Sequence, residues 1–293
     1  MGEKLERAVG KKIDSAAGRI ISTSVFRGLF AKLRYSKIGQ AFERRLYKLY
    51  EKKLLEEVKA NPVPKHVAII MDGNRRFARK LGIDPTQGHH IGKDKVQDVL
   101  EWCRDAGVKV LTLYAFSTEN FKRADKEVKT LMRMFADSFR KMADDPHIHK
   151  HRIRVRAIGR IDMLPPDVRK AIKYAEERTK DYSNYFFNIA IAYGGRAEIV
   201  DAIKSIASDV KKGKLNANEI DEQTVSSRLY TADVPDPDLI LRTSGEERIS
   251  NFLLWQIAYS ELCFVDVYWP EFTRRDFLRA IRTYQNRERR EGK

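Results

Sequence analysis

Six short apolar runs recur along this chain, at residues 66–71, 108–116, 152–158, 185–191, 238–241 and 262–268, each rich in Val, Ile, Leu, Phe or Tyr. Helical patterns fill most of the intervals, at 88–105, 125–143, 166–180, 196–212 and 273–287, with weaker ones over 221–230 and 250–257. Short apolar runs alternating with helices predict an open, mostly parallel α/β sheet. Such a sheet carries its site at the carboxyl ends of its strands. No internal repeat or low-complexity tract interrupts the pattern.

The sharpest local signal is the first run and its continuation, HVAIIMDGNRRFARKLG at 66–82. Val67–Met71 is too short for a helix and reads as a strand buried on both faces. Gly73 permits a tight turn. The basic run after it opens a helix, so free backbone N–H groups face an anion there. One carboxylate, Asp72, beside several guanidiniums makes sense if a metal bridges it to a phosphate that the arginines also hold. An ordinary strand–helix joint with a capping Asp explains the same residue types about as well.

The segments following the other strands share this character. They are Ser117-Thr118-Glu119-Asn120-Phe121-Lys122-Arg123, Gly159-Arg160, Tyr193-Gly194-Gly195-Arg196 and Arg242 to Ser250. In a parallel sheet these ends share a rim, which would bring Arg76, Arg123, Arg196, Arg242 and Arg248 together. So many guanidiniums repel one another unless a multiply charged anion sits among them. One phosphate does not need so many; two diphosphates would. Phe77, Phe116 and Phe121 add aromatic bulk beside these polar motifs. Val128, Leu131, Met132, Phe135 and Phe139 form a helical apolar stripe. That stripe taken alone reads as core, but an anionic head with a greasy tail fits both halves of the description.

Charge narrows the partners. Lys and Arg number 57 against 41 Asp and Glu, a formal +16. Residues 1–64 hold 15 of the former and 7 of the latter, a net +8. Leu5, Val9, Ile13, Ala17 and Ile20, then Phe26, Leu29, Phe30 and Leu33, recur at helical spacing among those charges. That is the pattern of a basic helix lying on a membrane surface, and equally of one packed on protein. A second helical pattern, Phe42 to Val58, ends at Asn61-Pro62-Val63-Pro64. The chain therefore divides into a basic amphipathic extension, 1–61, and a main domain, 62–293. No nucleic-acid-binding signature accompanies the charge, so nucleic acid is not expected as a partner. No run reaches the length of a membrane span, and no signal-peptide pattern opens the chain. The two cysteines, Cys103 and Cys263, are in no metal-ligand spacing and fit a reducing cytosol. His147, His149 and His151 alternate like metal ligands but lie in an Asp-Asp-Pro turn, which favours a solvated surface.

Six blocks together carry a resemblance. HVAIIMDGNRRFARKLG, GHHIG (88–92), LTLYAFSTENFKR (111–123), IAYGGRAEIV (191–200), DLILRTSGEERISNFLLWQIAYSELCF (238–264) and NRERR (286–290) resemble the cis-prenyltransferases, the undecaprenyl and dehydrodolichyl diphosphate synthases. The resemblance covers residues 62–291 in the expected order and leans to the archaeal branch. It implies a homodimer built on a parallel six-stranded sheet with an apolar tunnel. It implies repeated Z-addition of isopentenyl diphosphate to an allylic primer, farnesyl or geranylgeranyl diphosphate, with Mg²⁺ as cofactor, giving the precursor of a glycosyl-carrier lipid. Such an enzyme works in the cytoplasm, and the basic residues 1–35 would let it touch the membrane face.

The resemblance also assigns roles. Asp72 holds Mg²⁺ at the catalytic centre, and Glu261 is the second metal ligand. Gly73, Asn74, Arg75, Arg76 and Phe77 bind the allylic diphosphate, with His89 nearby. Ser117, Thr118, Glu119, Phe121 and Arg123 support both substrates, and Asn120 is the family's proton acceptor. Arg242, Arg248, Ile249 and Ser250 bind the diphosphate of isopentenyl diphosphate. Two of these points sit uneasily with the chemistry. Asn120 is a poor base, because a neutral amide hardly accepts protons, and is expected to orient water or diphosphate. Glu261 precedes its strand, so geometry alone would not place it with Asp72. Two positions depart from the bacterial pattern: Pro85 stands four before His89 where bacterial members have Arg, and Arg75 stands where they have Gly. The strongest rival outside enzymes is the non-catalytic subunit of a heteromeric cis-prenyltransferase, which should lack the carboxylate at Asp72. An all-helical trans-prenyltransferase and an aspartyl phosphatase fit worse. Asp144-Asp145 has no third acid, and Asn74 stands where a phosphatase would have its second Asp.

Overall fold

The computed structural model describes residues 37–287, with side chains from residue 47 onward. The basic apolar pattern at 1–35 lies outside the described residues. The chain divides into two units, residues 1–53 and 54–293. The described part of the first is the beginning of helix α1 (Lys37–Lys59), which runs on into the second. Leu54 and Val58 on α1 are buried in the second unit's core. The helix ends at Lys59, just before the Asn61–Pro64 stop suggested by sequence.

The second unit is built on six strands: β1 (His66–Ile70), β2 (Val110–Ser117), β3 (Ile153–Ile158), β4 (Tyr185–Tyr193), β5 (Leu239–Thr243) and β6 (Glu261–Val265). They pair in the order β3-β4-β2-β1-β5-β6, and every pairing is parallel. Every residue of β1 and β5 is buried, as the apolar runs require of strands with helices on both faces. The connecting helices are α2 (Asn74–Lys80), α3 (Pro85–Ala106), α4 (Asp125–Asp144), α5 (Pro146–His151), α6 (Pro166–Thr179), α7 (Gly195–Lys211), α8 (Glu222–Ser226) and α9 (Arg274–Gln285). Their ends follow local chemistry. Asp84 caps α3 by accepting from Thr86 N, with Pro85 at the first helical position and Gly107 left-handed at the end. Thr273 and Asp276 form a capping box on α9.

Two weak helical expectations change. The 221–230 pattern shrinks to α8, and 250–257 is not helical. Ser250, Asn251 and Leu253 take positive φ of 50°, 63° and 45°, a left-handed conformation no right-handed helix accommodates. The Asp-Asp-Pro turn forms the short helix α5. His149 there is committed to structure, its ring nitrogens 2.9 Å from Tyr182 Oη and 2.8 Å from the Ala143 carbonyl.

A polar ladder crosses the sheet where β1 begins. The His66 ring lies 2.7 Å from the Pro235 carbonyl at Nδ1 and 2.8 Å from Thr112 Oγ1 at Nε2. Asn188 Nδ2 on β4 donates to the same hydroxyl at 3.2 Å. Burial lowers the His66 pKa to about 4, against smaller opposing effects of the Pro235 carbonyl and Asp238. The folded state thus binds this proton less readily than the unfolded chain, whose histidine titrates near 6.5. Stability from a neutral His66 is present above about pH 6.5 and is lost as pH falls towards 4, on the order of 3 kcal/mol in all. Urea titrations between pH 7 and 4 should show this loss, and His66→Gln should flatten it; an equal slope in both proteins would refute the assignment.

Candidate active site

The carboxyl ends of β1, β2 and β5 open on one rim, and Asp72 is its hub. It follows β1 directly. Its Oδ1 accepts from Gly73 N at 2.7 Å, and its Oδ2 from Arg242 Nη2 at 2.7 Å, with Arg76 Nη2 3.2 Å away. Burial by itself would raise the Asp72 pKa. The Arg242 hydrogen bond and charge, then Arg76, overcome that and hold it below the ordinary carboxylate value. The main chain here is pinned as well, since Trp269 N and Thr243 Oγ1 both donate to the Asp72 carbonyl, at 3.0 and 2.6 Å.

Glycine is required at the next position. Gly73 has φ 104°, and a Cβ there would lie 2.7 Å from the Tyr268 ring. The turn leads straight into α2, whose first residues are Asn74, Arg75 and Arg76. Arg76 donates to Glu246 Oε1 and Ser244 Oγ, each at 2.6 Å. Glu246 also accepts from Arg248. Arg242, only 3% exposed, donates to Ser250 Oγ at 2.8 Å and to the Arg248 carbonyl. Its Nε has no partner.

A second basic group sits across the rim. Arg123 Nη1 donates to Glu127 Oε1 at 3.1 Å, His89 Nε2 lies 3.4 Å from the same oxygen, and Arg75 Nε 4.0 Å from it. The five guanidiniums of Arg75, Arg76, Arg123, Arg242 and Arg248 thus face three carboxylates, Asp72, Glu127 and Glu246, an excess of two positive charges. Such an excess in a cleft attracts a polyanion.

Between these groups opens a cavity of about 650 Å³. Asp72, Asn74, His89, Asn120, Arg123, Arg242, Arg248 and Ser250 line its polar part. Val96 and Leu100 of α3, Leu131, Phe135 and Phe139 of α4, and Phe187 of β4 line the apolar remainder. The α4 stripe therefore does both: Leu131, Met132, Phe135 and Phe139 all belong to the core, and all but Met132 also face the cavity. Beyond Leu100, a separate space of about 20 Å³ lies among Cys103, Val108, Leu111, Ile153 and Tyr185.

The remaining site candidates are distributed unevenly. Asn120 lines the cavity, but its Oδ1 accepts from Ser117 N at 3.1 Å and caps the turn Thr118–Lys122. Its amide oxygen thus serves to shape the loop. Glu119 reaches sideways and accepts from Asn251 Nδ2 at 3.0 Å. Phe121 packs edge-on against Phe116, ring centroids 4.9 Å apart. Thr118 starts the same turn, and Phe77 and Ile249 are half-buried at the rim. Arg196 does not line the cavity; its backbone N donates to Asn251 Oδ1 at 2.9 Å. Tyr193 likewise shapes the rim from within, its hydroxyl donating to buried Glu198.

Glu261 does not join Asp72 in the chain. It opens β6, level with Leu239, whereas Ile70 is level with Arg242. Three residues of strand separate those levels, roughly 10 Å along the sheet. Its carboxylate is bonded to Arg287 instead. Among the described residues no group of three or more His, Cys, Asp or Glu could hold a metal. The residues present suit a divalent cation bound through one carboxylate, Asp72, and completed by phosphate oxygens, as is usual for Mg²⁺.

Sequence reasoning missed Glu127, Glu246 and Asn251, which touch the basic side chains or tie the loops beneath them. Asn251 could have been noticed, since a left-handed residue is often Asn. Glu127 reads as an ordinary residue of a helix's first turn, and nothing local marks it.

Comparison with known proteins agrees with the geometry. The family model for undecaprenyl diphosphate synthase matches residues 70–292. The chain is 59% identical over 248 residues to the tritrans,polycis-undecaprenyl-diphosphate synthase (geranylgeranyl-diphosphate specific) of Methanocaldococcus jannaschii, covering 84% of this chain and 89% of that one. It is 55% identical to the protein of the same description from Pyrococcus furiosus, covering 88% and 98%. Among solved structures, lavandulyl diphosphate synthase from Lavandula x intermedia in complex with dimethylallyl diphosphate superposes with a TM-score of 0.74 at 36% identity, over 79% of this chain and 99% of that one.

Proposed function

This chain belongs to the undecaprenyl diphosphate synthase family of cis-prenyltransferases, and on that premise we propose that it extends geranylgeranyl diphosphate by repeated Z-addition of isopentenyl diphosphate. The product is a polyprenyl diphosphate of about undecaprenyl length, the precursor of a glycosyl-carrier lipid. One observation carries the reading: the basic rim around Asp72 opens directly onto the apolar cavity. Ionic head and hydrocarbon tail of one substrate are both accommodated.

Asp72 would hold Mg²⁺ jointly with diphosphate oxygens, and the ion would supply neutralising charge to the departing diphosphate. Arg76 and the α2 N-terminus bind the primer's diphosphate, with Arg123 and His89 opposite. Arg242, Arg248 and Ser250 bind that of isopentenyl diphosphate. As the allylic C–O bond breaks, negative charge grows on the departing group and these fixed donors stabilise it. The terminal alkene then attacks the allylic carbon, helped chiefly by orientation. Apolar walls keep water from the cationic carbon. The released diphosphate takes the proton, while Asn120 holds its loop in place.

The test is purified protein with Mg²⁺, labelled isopentenyl diphosphate and each allylic primer in turn, products sized by chromatography. Geranylgeranyl diphosphate should be the preferred primer; no elongation with any primer would sink the reading and favour a binding subunit. Chain length should depend on Leu100, the wall between the main cavity and the small space beyond. Leu100→Ala should shift the products to longer chains, read by mass spectrometry, and an unmoved distribution would place the stop elsewhere.

The position of β6 at the edge of the sheet supports homodimerisation. Its five residues are half-buried and Tyr259, just before it, is 80% exposed. Sedimentation as a monomer at assay concentration would remove this idea. Among the described residues no helix is long and apolar enough to cross a membrane. Residues 1–35 supply peripheral contact with the cytoplasmic membrane face instead, as their charge and apolar spacing suggest. Deleting them should weaken binding to acidic liposomes and spare turnover; liposome binding equal to that of the full chain would exclude this role.

A further inference from the structure

Glu127 is the one carboxylate that three basic side chains of the primer side share. They come from three elements: Arg75 from the first turn of α2, His89 from near the start of α3, and Arg123 from the loop before α4. Glu127 lies deeper than the guanidiniums it holds. Its side chain is 13% exposed, against 43% for Arg75 and 27% for Arg123. Arg123 and His89 line the cavity, whereas Glu127 and Arg75 do not. It stands behind Arg123 and His89, where it can fix them without competing for their outward donors.

We propose that Glu127 is a positioning residue for the primer's diphosphate, a backing carboxylate that keeps Arg75, His89 and Arg123 aimed at one point. This rests on the prenyl-transfer reading and adds a residue to it. Without the backing charge, the two guanidiniums would repel each other and swing to solvent. Each would then have to be ordered again when an anion arrives, at a cost in side-chain entropy. The groups facing His89 are Arg123 and Arg75, which with burial lower its pKa, and Glu127, which raises it. Burial is the largest of these effects.

The test uses the full chain and Glu127→Gln, which keeps the side chain's shape and its acceptor oxygen. Inorganic pyrophosphate binding, followed by calorimetry, should weaken roughly fivefold or more. The KM for geranylgeranyl diphosphate should rise with it, while kcat and the KM for isopentenyl diphosphate change less. The His89 ring, followed by NMR, should titrate at lower pH once its anionic neighbour is gone. Glu127→Asp should restore part of each effect. Arg75→Gln combined with Glu127→Gln should be less damaging than the two effects added, because the pair acts as a unit. Unchanged pyrophosphate affinity and unchanged His89 titration in Glu127→Gln would overturn the proposal. So would an equal rise in both KM values together with a lower melting temperature, the mark of a merely structural role. A wild-type protein whose pyrophosphate affinity depends on Glu127 yet which makes no polyprenyl product would sink the functional reading and leave this one standing.

Discussion

Asp72→Asn lowers turnover roughly 10²- to 10³-fold in a protein that still folds. The amide keeps the shape of the carboxylate and one acceptor for Arg242, but loses the charge that holds a divalent cation and sets Arg76. Asp72→Ala goes further. Arg242, almost wholly buried, then keeps only Ser250 Oγ and the Arg248 carbonyl as partners, with no anion beside it. Stranding a buried charge in this way costs about 3 kcal/mol. The two variants should therefore agree in activity and differ in urea midpoint. Near-normal turnover in Asp72→Asn would remove Asp72 from the chemistry, and equal midpoints would show that Arg242 finds another partner.

Gly88→Ala damages the same rim from behind. A Cβ at Gly88 would stand 2.2 Å from the Asn74 carbonyl and 3.1 Å from Ala78 Cβ. The close atom is backbone, so α2 itself must move away from α3. Overpacking of this kind costs about 1–3 kcal/mol. The larger effect is on catalysis, because α2 carries Asn74, Arg75 and Arg76. A displacement of about 1 Å in groups that position substrate costs on the order of 10² in rate. Gly213→Ala is the contrast: unlike Gly88 it has a positive φ, 68°, but nothing lies within 4 Å of its Cβ. It should cost some stability and leave turnover intact. Normal turnover in Gly88→Ala would mean that α2 tolerates the shift and does not fix the arginines.

Much of this was legible from residues 66–82 and the alternation that follows. Apolar runs bounded by Gly or charge define buried strands, and the parallel sheet then gathers Asp72, Ser117 and Arg242 without further information. What was not legible depends on contacts distant in sequence. Glu127 acquires its place because α2, α3 and the loop before α4 converge on it, and Glu246 because Arg76 reaches it from 170 residues away. The 250–257 segment has helical spacing, yet Asn251 is drawn out of a helix by bonds to Glu119, Gly195 and Arg196. Glu261 shows the opposite limit. Family resemblance paired it with Asp72, whereas its place at the start of β6 gives it to Arg287. Chain order alone had already pointed to that separation.

The wall of the apolar passage has a mechanical consequence. Leu131, Phe135, Phe139 and Phe187 offer hydrocarbon no polar atom to grip, so every depth along them is nearly equivalent to a lengthening tail. In the proposed reaction growth occurs at the charged end, so each round would drive the whole accumulated chain inward by one repeat. Along these four side chains a tail would glide with little resistance, and Leu100, which lines both this cavity and the small space beyond, is the proposed stop. Such a device would measure its product by where the passage ends and would keep no count of the rounds completed.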